Sequence, residues 1–297
     1  MKIDSNNNLE PSHFKRRSQL SSIIYRFSKN KVAMLGLIVF VAILFFVIFA
    51  GIFVDYEKDA IAQNVYVRLT PPNKEFIFGT DAFGRNVFAR ILYGGRLSIT
   101  LSLITVASSI AIGTIFGAMS AYYGGTLDNV IMRVTDVFMA VPSALMAVTV
   151  VAALGISVQN LVIAMIISQI PPKIRIVRSA VLQVKNSDYI EVAKSYGAKD
   201  WRVILSHILP NVAGPLIVQT TLSLANILLS IAALGFIGLG VPSPLPEWGT
   251  MLSQNKASMR YYPYLVVFPG LAIAITVLAL NLIGDGLRDA LDPRLKN

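Results

Sequence analysis

Residues Glu191–Pro210 read EVAKSYGAKDWRVILSHILP, a charged, polar island between two long apolar runs. The stretch divides at Gly197, whose conformational freedom permits a tight bend. On either side the pattern predicts a short amphipathic helix. In the second helix Trp201, Ile204, Leu205 and Ile208 recur at helical spacing on one face. Asp200 stands where an N-cap is expected and Pro210 where the helix should end. A membrane protein that presents a docking surface to a soluble partner needs such an island. The plainer reading is a loop lying on lipid head groups, and the island alone leaves both open.

The flanking runs set the class. Hydrophobic residues make up 55% of the 297 residues and charged residues only 14%, against about a quarter charged in soluble domains. That apolar surplus fits a polytopic membrane protein. The net charge of +10 does not point to nucleic acid, because the basic residues cluster beside apolar runs and so set membrane orientation. Cysteine is absent, which excludes disulfides and thiolate metal sites. The N-terminus is basic and then apolar from Val32 to Val54. That run is longer than the core of a signal peptide and lacks a small-x-small cleavage site, so it is expected to stay as a first span.

A span needs roughly 20 apolar residues, and the chain offers six candidates. They are Val32–Val54, Leu97–Tyr122, Val134–Leu154 interrupted by Pro142, Val158–Ile170 extended through Pro171 and Pro172 toward Ile176, Val212–Leu239 and Tyr264–Gly284. The expected architecture is therefore an all-α membrane protein of six transmembrane helices. It divides into a basic segment 1–31, a transmembrane body 32–286 containing the polar loop 187–211, and a tail 287–297. Six spans put both termini on one side. Most of the 26 basic residues fall in segments 1–31, 123–133, 173–211 and the tail, so those are expected inside. The outer segments are then 55–96, 155–160 and 241–262. Arg85, Arg90 and Arg96 break the bias, and the expectation is an interfacial helix Asn86–Arg96 whose long side chains snorkel to head groups. The outer VPSPLPEWGT, rich in proline, is expected to be ordered.

The inventory disfavours catalysis. The two histidines, His13 and His207, are far apart, and neither a zinc pattern nor a G-x-x-x-x-G-K-[ST] phosphate loop occurs. If transport is driven by ATP, another chain must bind it. In the fifth span Gln219, Ser223, Asn226 and Ser230 fall on one helix face. Polar groups at that depth either line a wet path or hydrogen-bond between helices, and spacing does not choose. Asn281 in the sixth span reads as interhelical bonding. The spans carry almost no charge, which weighs against an ion-coupled carrier. Asp136 sits at the inner start of the third span, within reach of Arg133 or as a solvated helix end. Asp285, Asp289 and Asp292 share a face in the tail, and a hydrated helix paired with Arg288 and Arg294 is favoured over a cation site.

Glu191, Ala193, Gly197, Leu209 and Pro210 stand in register with a Glu-Ala-Ala, three residues, Gly, Leu-Pro pattern, with Val192 for one Ala and His207 where Ile is expected. The loop resembles the cytoplasmic loop of ATP-binding cassette importer permeases. Further blocks resemble the dipeptide/oligopeptide/nickel permeases, in particular their second permease subunit. These are Phe78–Ile99, GGTLDNVIMRVTDVFMAVP (Gly124–Pro142), SDYIEVAKSYGA (Ser187–Ala198), ALGFIGLGVPSPLPEWGTML (Ala233–Leu252) and GDGLRDALDPRLK (Gly284–Lys296). The resemblance implies a subunit of a bacterial inner-membrane peptide importer. Its partners would be a homologous permease, two cytoplasmic ATPases that bind ATP and Mg, and an external peptide-binding protein. The implied coupling residues are Glu191, Ala193, Gly197, Trp201, Ile204, Leu209 and Pro210. The chain itself would carry no cofactor, no metal and no catalytic residue. Nickel or nickel-chelate uptake is the alternative within the family, and an ion-coupled carrier or channel the alternative outside it.

Overall fold

A computed structural model describes residues 19–291. The described residues are helical apart from turns and one isolated bridge between Thr80 and Asn86. The order begins with α1 (Gln19–Lys29), α2 (Lys31–Ile48) and α3 (Ala50–Phe53). An irregular segment then leads into α4 (Val87–Tyr123). The next four helices are α5 (Gly125–Met139), α6 (Ser143–Leu154), α7 (Val158–Val184) and α8 (Asp188–Ser195). The last four are α9 (Asp200–Arg202), α10 (Leu209–Phe236), α11 (Trp248–Asn255) and α12 (Tyr264–Leu291). Five runs are long and apolar enough to cross a membrane, and α5 with α6 makes a sixth if that bent pair counts as one.

The third span departs most from a rod. α5 and α6 meet at 82°. Pro142 stands immediately before α6, where it has no N–H to continue the ladder from α5 and its fixed φ suits a helix start. The inner segment 123–133, expected as a loop, is mostly the first half of α5. Proline acts otherwise in α7, which continues through Pro171 and Pro172 to Val184. The span therefore does not stop near Ile176, and Lys173, expected in an inner loop, lies in the helix at 2% exposure. One cation is thus buried in a set of spans expected to carry almost no charge. Asp136 pairs across helices with Arg175 at 2.7 Å and not with Arg133.

α4 packs along α7, and α12 packs between α2 and α10. The α4–α7 approach depends on two glycines. A Cβ on Gly113 would lie 2.5 Å from Cβ of Lys173, and one on Gly117 would lie 2.7 Å from the Ile174 carbonyl. Small residues let helix backbones come this close in a membrane, where packing drives association.

The end of the bundle that carries residues 55–96 corrects another expectation. Asn86 caps α4 by accepting from the Phe88 and Ala89 amides. Residues 87–96 are simply the first turns of that helix, which at 37 residues is about 55 Å long against a hydrocarbon core of roughly 30 Å. Arg85 and Arg90 do not snorkel, being 1% exposed. Arg85 Nε donates to Asp81 Oδ2 at 2.7 Å, and Arg90 Nε lies 3.6 Å from the same oxygen. Both guanidiniums also donate to Gln254 Oε1, and Arg90 donates to the Ala60 and Pro244 carbonyls. A carboxylate and carbonyls from the segments 55–86 and 241–262 thus stand where the head groups were expected. Arg96 donates to the Val47 and Ile48 carbonyls at the end of α2, where a helix leaves such groups unpaired.

The proline-rich stretch, expected to be ordered, is anchored by Glu247. Glu247 caps α11, accepting from the Gly249 and Thr250 amides at 2.9 and 2.7 Å and from Ser98 of α4 at 3.1 Å. Burial pushes its carboxyl above the ordinary value, and the amide hydrogen bonds oppose that shift. Gly249 lies against α10, where a Cβ would be 2.2 Å from the Ala232 carbonyl.

Candidate functional site

The segment following α7 is built on an apolar floor. Ile190 of α8, with Val203 and Ile208 beyond Gly197, are 1%, 0% and 0% exposed. They pack with Ala118 and Ala121 of α4, Val177 and Val181 of α7, and Val212 of α10. Asp188 and Glu191 occupy the first turn of α8 and Lys194 its last, the arrangement the helix dipole favours.

Gly197 closes α8 at φ +78. Its amide donates to the Lys194 carbonyl at 2.9 Å, and the Ala198 amide reaches back to the Ala193 carbonyl at 3.1 Å. This is the paired capping of a Schellman motif, which needs a left-handed residue where Gly197 stands. Ala193 and Gly197, singled out from sequence, thus meet in one hydrogen-bonded elbow. Glu191 is exposed and Ala193 half-buried.

The second limb differs from the expected short helix. Lys199, not Asp200, is its N-cap, and the Asp200 carboxylate accepts from the Tyr122 hydroxyl at 2.7 Å. After α9 the chain makes a π-helical turn, Val203–Ile208, whose widened ladder joins the Leu209 amide to the Ile204 carbonyl. Pro210 therefore does not end a helix. It sits in the first turn of α10, where a missing N–H costs little. The extra residue per turn also splits the predicted face. Ile208 turns inward beside Val203, Ile204 and Leu209 are half-buried, and Trp201 and Leu205 stay 59% and 57% exposed. With Tyr196 at 89% and Val192 at 53%, they form an outward apolar set among charged neighbours.

The polar face of α10 also divides. Ser223 is buried, Gln219 and Ser230 are half-buried, and Asn226 is exposed. Ser223 donates to the Gln219 carbonyl at 2.6 Å and Ser230 to the Asn226 carbonyl at 2.8 Å. The Lys173 ammonium donates to Ser223 Oγ, which joins α7 to α10. The signal for Lys173 lay in its spacing. Once α7 is continued through the prolines, Lys173, Val177 and Val181 share one face.

His207 is half-buried, and its carbonyl accepts from Asn211. Asn281 is half-buried on α12. Asp289 is reached by Asn30 at 3.3 Å. His13, Asp292 and Arg294 lie outside the described residues. Among the described residues no group of three or more His, Asp or Glu is placed to hold a metal ion.

Comparison with known proteins bears on this geometry. Residues 113–297 match the family described as binding-protein-dependent transport system inner membrane component. Residues 18–72 match the N-terminal TM domain of oligopeptide transport permease C. The chain is 44% identical over 269 residues to the dipeptide transport system permease protein DppC of Alkalihalophilus pseudofirmus, covering 91% of this chain and 88% of that one. It is 41% identical to the oligopeptide transport system permease protein OppC of Bacillus subtilis, with the same coverage. A glutathione transport system permease protein, GsiD of Pectobacterium atrosepticum, is 43% identical over 76% of this chain and 75% of its own length. A chain of the inward-facing MetNI methionine ABC transporter superposes with a TM-score of 0.57 at 18% identity, over 68% of this chain and 96% of that one, which speaks to the fold. The chain thus belongs to the inner membrane components of binding-protein-dependent transport systems, as an ABC importer permease of the dipeptide and oligopeptide group.

Proposed function

We propose that the chain is one of two homologous permease subunits of an ATP-driven peptide uptake system, and that residues 187–211 are its docking surface for the cytoplasmic ATPases. One observation carries this reading. Trp201, Leu205, Tyr196 and Val192 are exposed on a segment whose other side is fixed to α4 and α7. Large apolar groups held outward among charges mark a partner surface. In this reading Glu191 supplies charge at the docking edge, Gly197 and Ala193 hold the elbow, and Ile204, Leu209 and Pro210 join the surface to α10. ATP and Mg bind to the partner ATPases and hydrolysis occurs there. Closure of the ATPases moves the segment and shifts the spans between inward and outward openings, a change driven by differential binding free energy.

The relatives' names support di- and oligopeptides as substrates, delivered by an external binding protein. The basic bias supports cytoplasmic termini in a bacterial inner membrane, with 241–262 outside. Exposed Asn226, with Gln219 and Ser230, is assigned to the path. Ser223 is assigned a double role, as the bond to Lys173 and as part of the same face.

In a strain lacking the chain, uptake of labelled di-, tri- or pentapeptides is expected to be lost and to return with the gene, while nickel uptake is unchanged. Loss of nickel uptake with intact peptide uptake would replace the substrate assignment. Uptake that persists after ATP depletion would favour an ion-coupled carrier or a channel. Asn226→Leu is expected to lower peptide uptake about tenfold while the partner permease still co-purifies, the loss of one polar contact worth about 1.4 kcal/mol. Normal uptake by a normal complex would remove Asn226 from the path.

A further inference from the structure

We propose that Tyr122, outside the docking segment, is the positioning residue that ties both limbs of that segment to α4; the inference rests on the docking reading above. Tyr122 is one residue from the inner end of α4. Its hydroxyl donates to Asp200 Oδ1 at 2.7 Å, beyond the elbow. The Lys194 ammonium, before the elbow, lies 4.7 Å from the centroid of the same ring. One side chain therefore brackets Gly197 from both sides. Beyond its own capping hydrogen bonds the outward side of the elbow is open, since among the described residues nothing lies within 4 Å of where a Gly197 Cβ would be.

The end of α4 that carries this bracket is itself tied down. Lys185 Nζ donates to the Ala121 carbonyl at 2.8 Å. Arg178 of α7 makes a two-bond contact with Asp128 of α5, which also accepts from Ser120 of α4. From there α4 runs unbroken to the buried Asp81–Arg85–Arg90 group on the outer face. The apolar floor under Ile190, Val203 and Ile208 holds the segment on the bundle, but dispersion contacts can slide. A hydrogen bond to a carboxylate and a cation over a ring face are directional. They fix the angle between the two limbs and α4, so that a displacement of the docking surface becomes a displacement of one long helix.

The test uses the whole complex, this permease with its partner permease, ATPases and binding protein, reconstituted in vesicles. The quantity read is peptide imported per ATP hydrolysed. Tyr122→Phe keeps the ring and its place on the floor but removes the hydroxyl. The ATPases are expected to co-purify with it, and import per ATP is expected to fall about threefold, the size of one hydrogen bond to a carboxylate open to solvent. Asp200→Ala should give a similar fall, and the double variant should be no worse than either single one. A wild-type ratio in Tyr122→Phe, or losses that multiply in the double variant, would overturn the bracket. Failure of the underlying docking reading is read separately. If Trp201→Ala/Leu205→Ala retains full ATPase association, the docking surface is misassigned.

Discussion

Replacing Asp81 with Asn is expected to destabilise the protein by about 3–5 kcal/mol, the cost of removing one partner from a buried ion pair. Asp81 is the carboxylate facing Arg85 and Arg90 in their buried group, and all three are 2% exposed or less. Its Oδ1 also accepts the Phe83 and Arg85 amides. Asn keeps the volume and one acceptor, so no cavity forms and the loss is electrostatic. Two guanidiniums would then share neutral acceptors, and Arg85 Nη1 already finds no hydrogen-bond partner among the described residues. Melting of the purified protein and its abundance in the membrane should both drop. Asp81→Asn/Arg85→Met should recover part of the loss by removing one of the uncompensated cations. A melting temperature equal to wild type in the single variant would contradict a stabilising role for this ion-pair group.

Gly197→Val is expected to leave the protein in the membrane while peptide uptake falls at least about tenfold. Gly197 is exposed and a side chain there meets no neighbour, so packing of the spans is not at risk. The conflict is in the backbone. A left-handed conformation costs an ordinary L-residue about 1–2 kcal/mol, and a β-branched residue is a genuine outlier there. Relief of that strain breaks the bonds to the Lys194 and Ala193 carbonyls and swings one limb of the proposed docking surface against the other. Asn adopts the left-handed region more readily, so Gly197→Asn should retain most uptake. Equal loss in both variants would mean that side-chain bulk, not backbone conformation, is at issue.

The spans and the elbow were legible because each rests on a local rule. Apolar runs of sufficient length mark spans, and glycine between two polar limbs marks a bend that here has φ +78. What escaped depends on partners distant in sequence. Arg85 and Arg90 looked like head-group ligands because Gln254 and the Pro244 carbonyl, which hold them inward, come from a segment more than 150 residues on. Lys173 falls in the expected inner segment 173–211 because the sequence extends that span past Pro171 and Pro172 only toward Ile176, whereas packing on α4 and α10 takes the helix on to Val184. The split of the Trp201–Ile208 face follows from a π-helical turn, which periodicity at 3.6 residues cannot register. Tyr122 carried no local signal, since its role is defined by Asp200 and Lys194 across the elbow.

Whether motion of residues 187–211 transmits ATP hydrolysis to transport is read most directly by reconstituting Gly197→Val with its partner permease, ATPases and binding protein. Peptide uptake and peptide-stimulated ATP hydrolysis are then measured in the same vesicles. Assembled complexes whose hydrolysis no longer responds to peptide, with uptake at least about tenfold down from the strained elbow, are the expected result. Wild-type values of both quantities would show that this segment is not the transmission element.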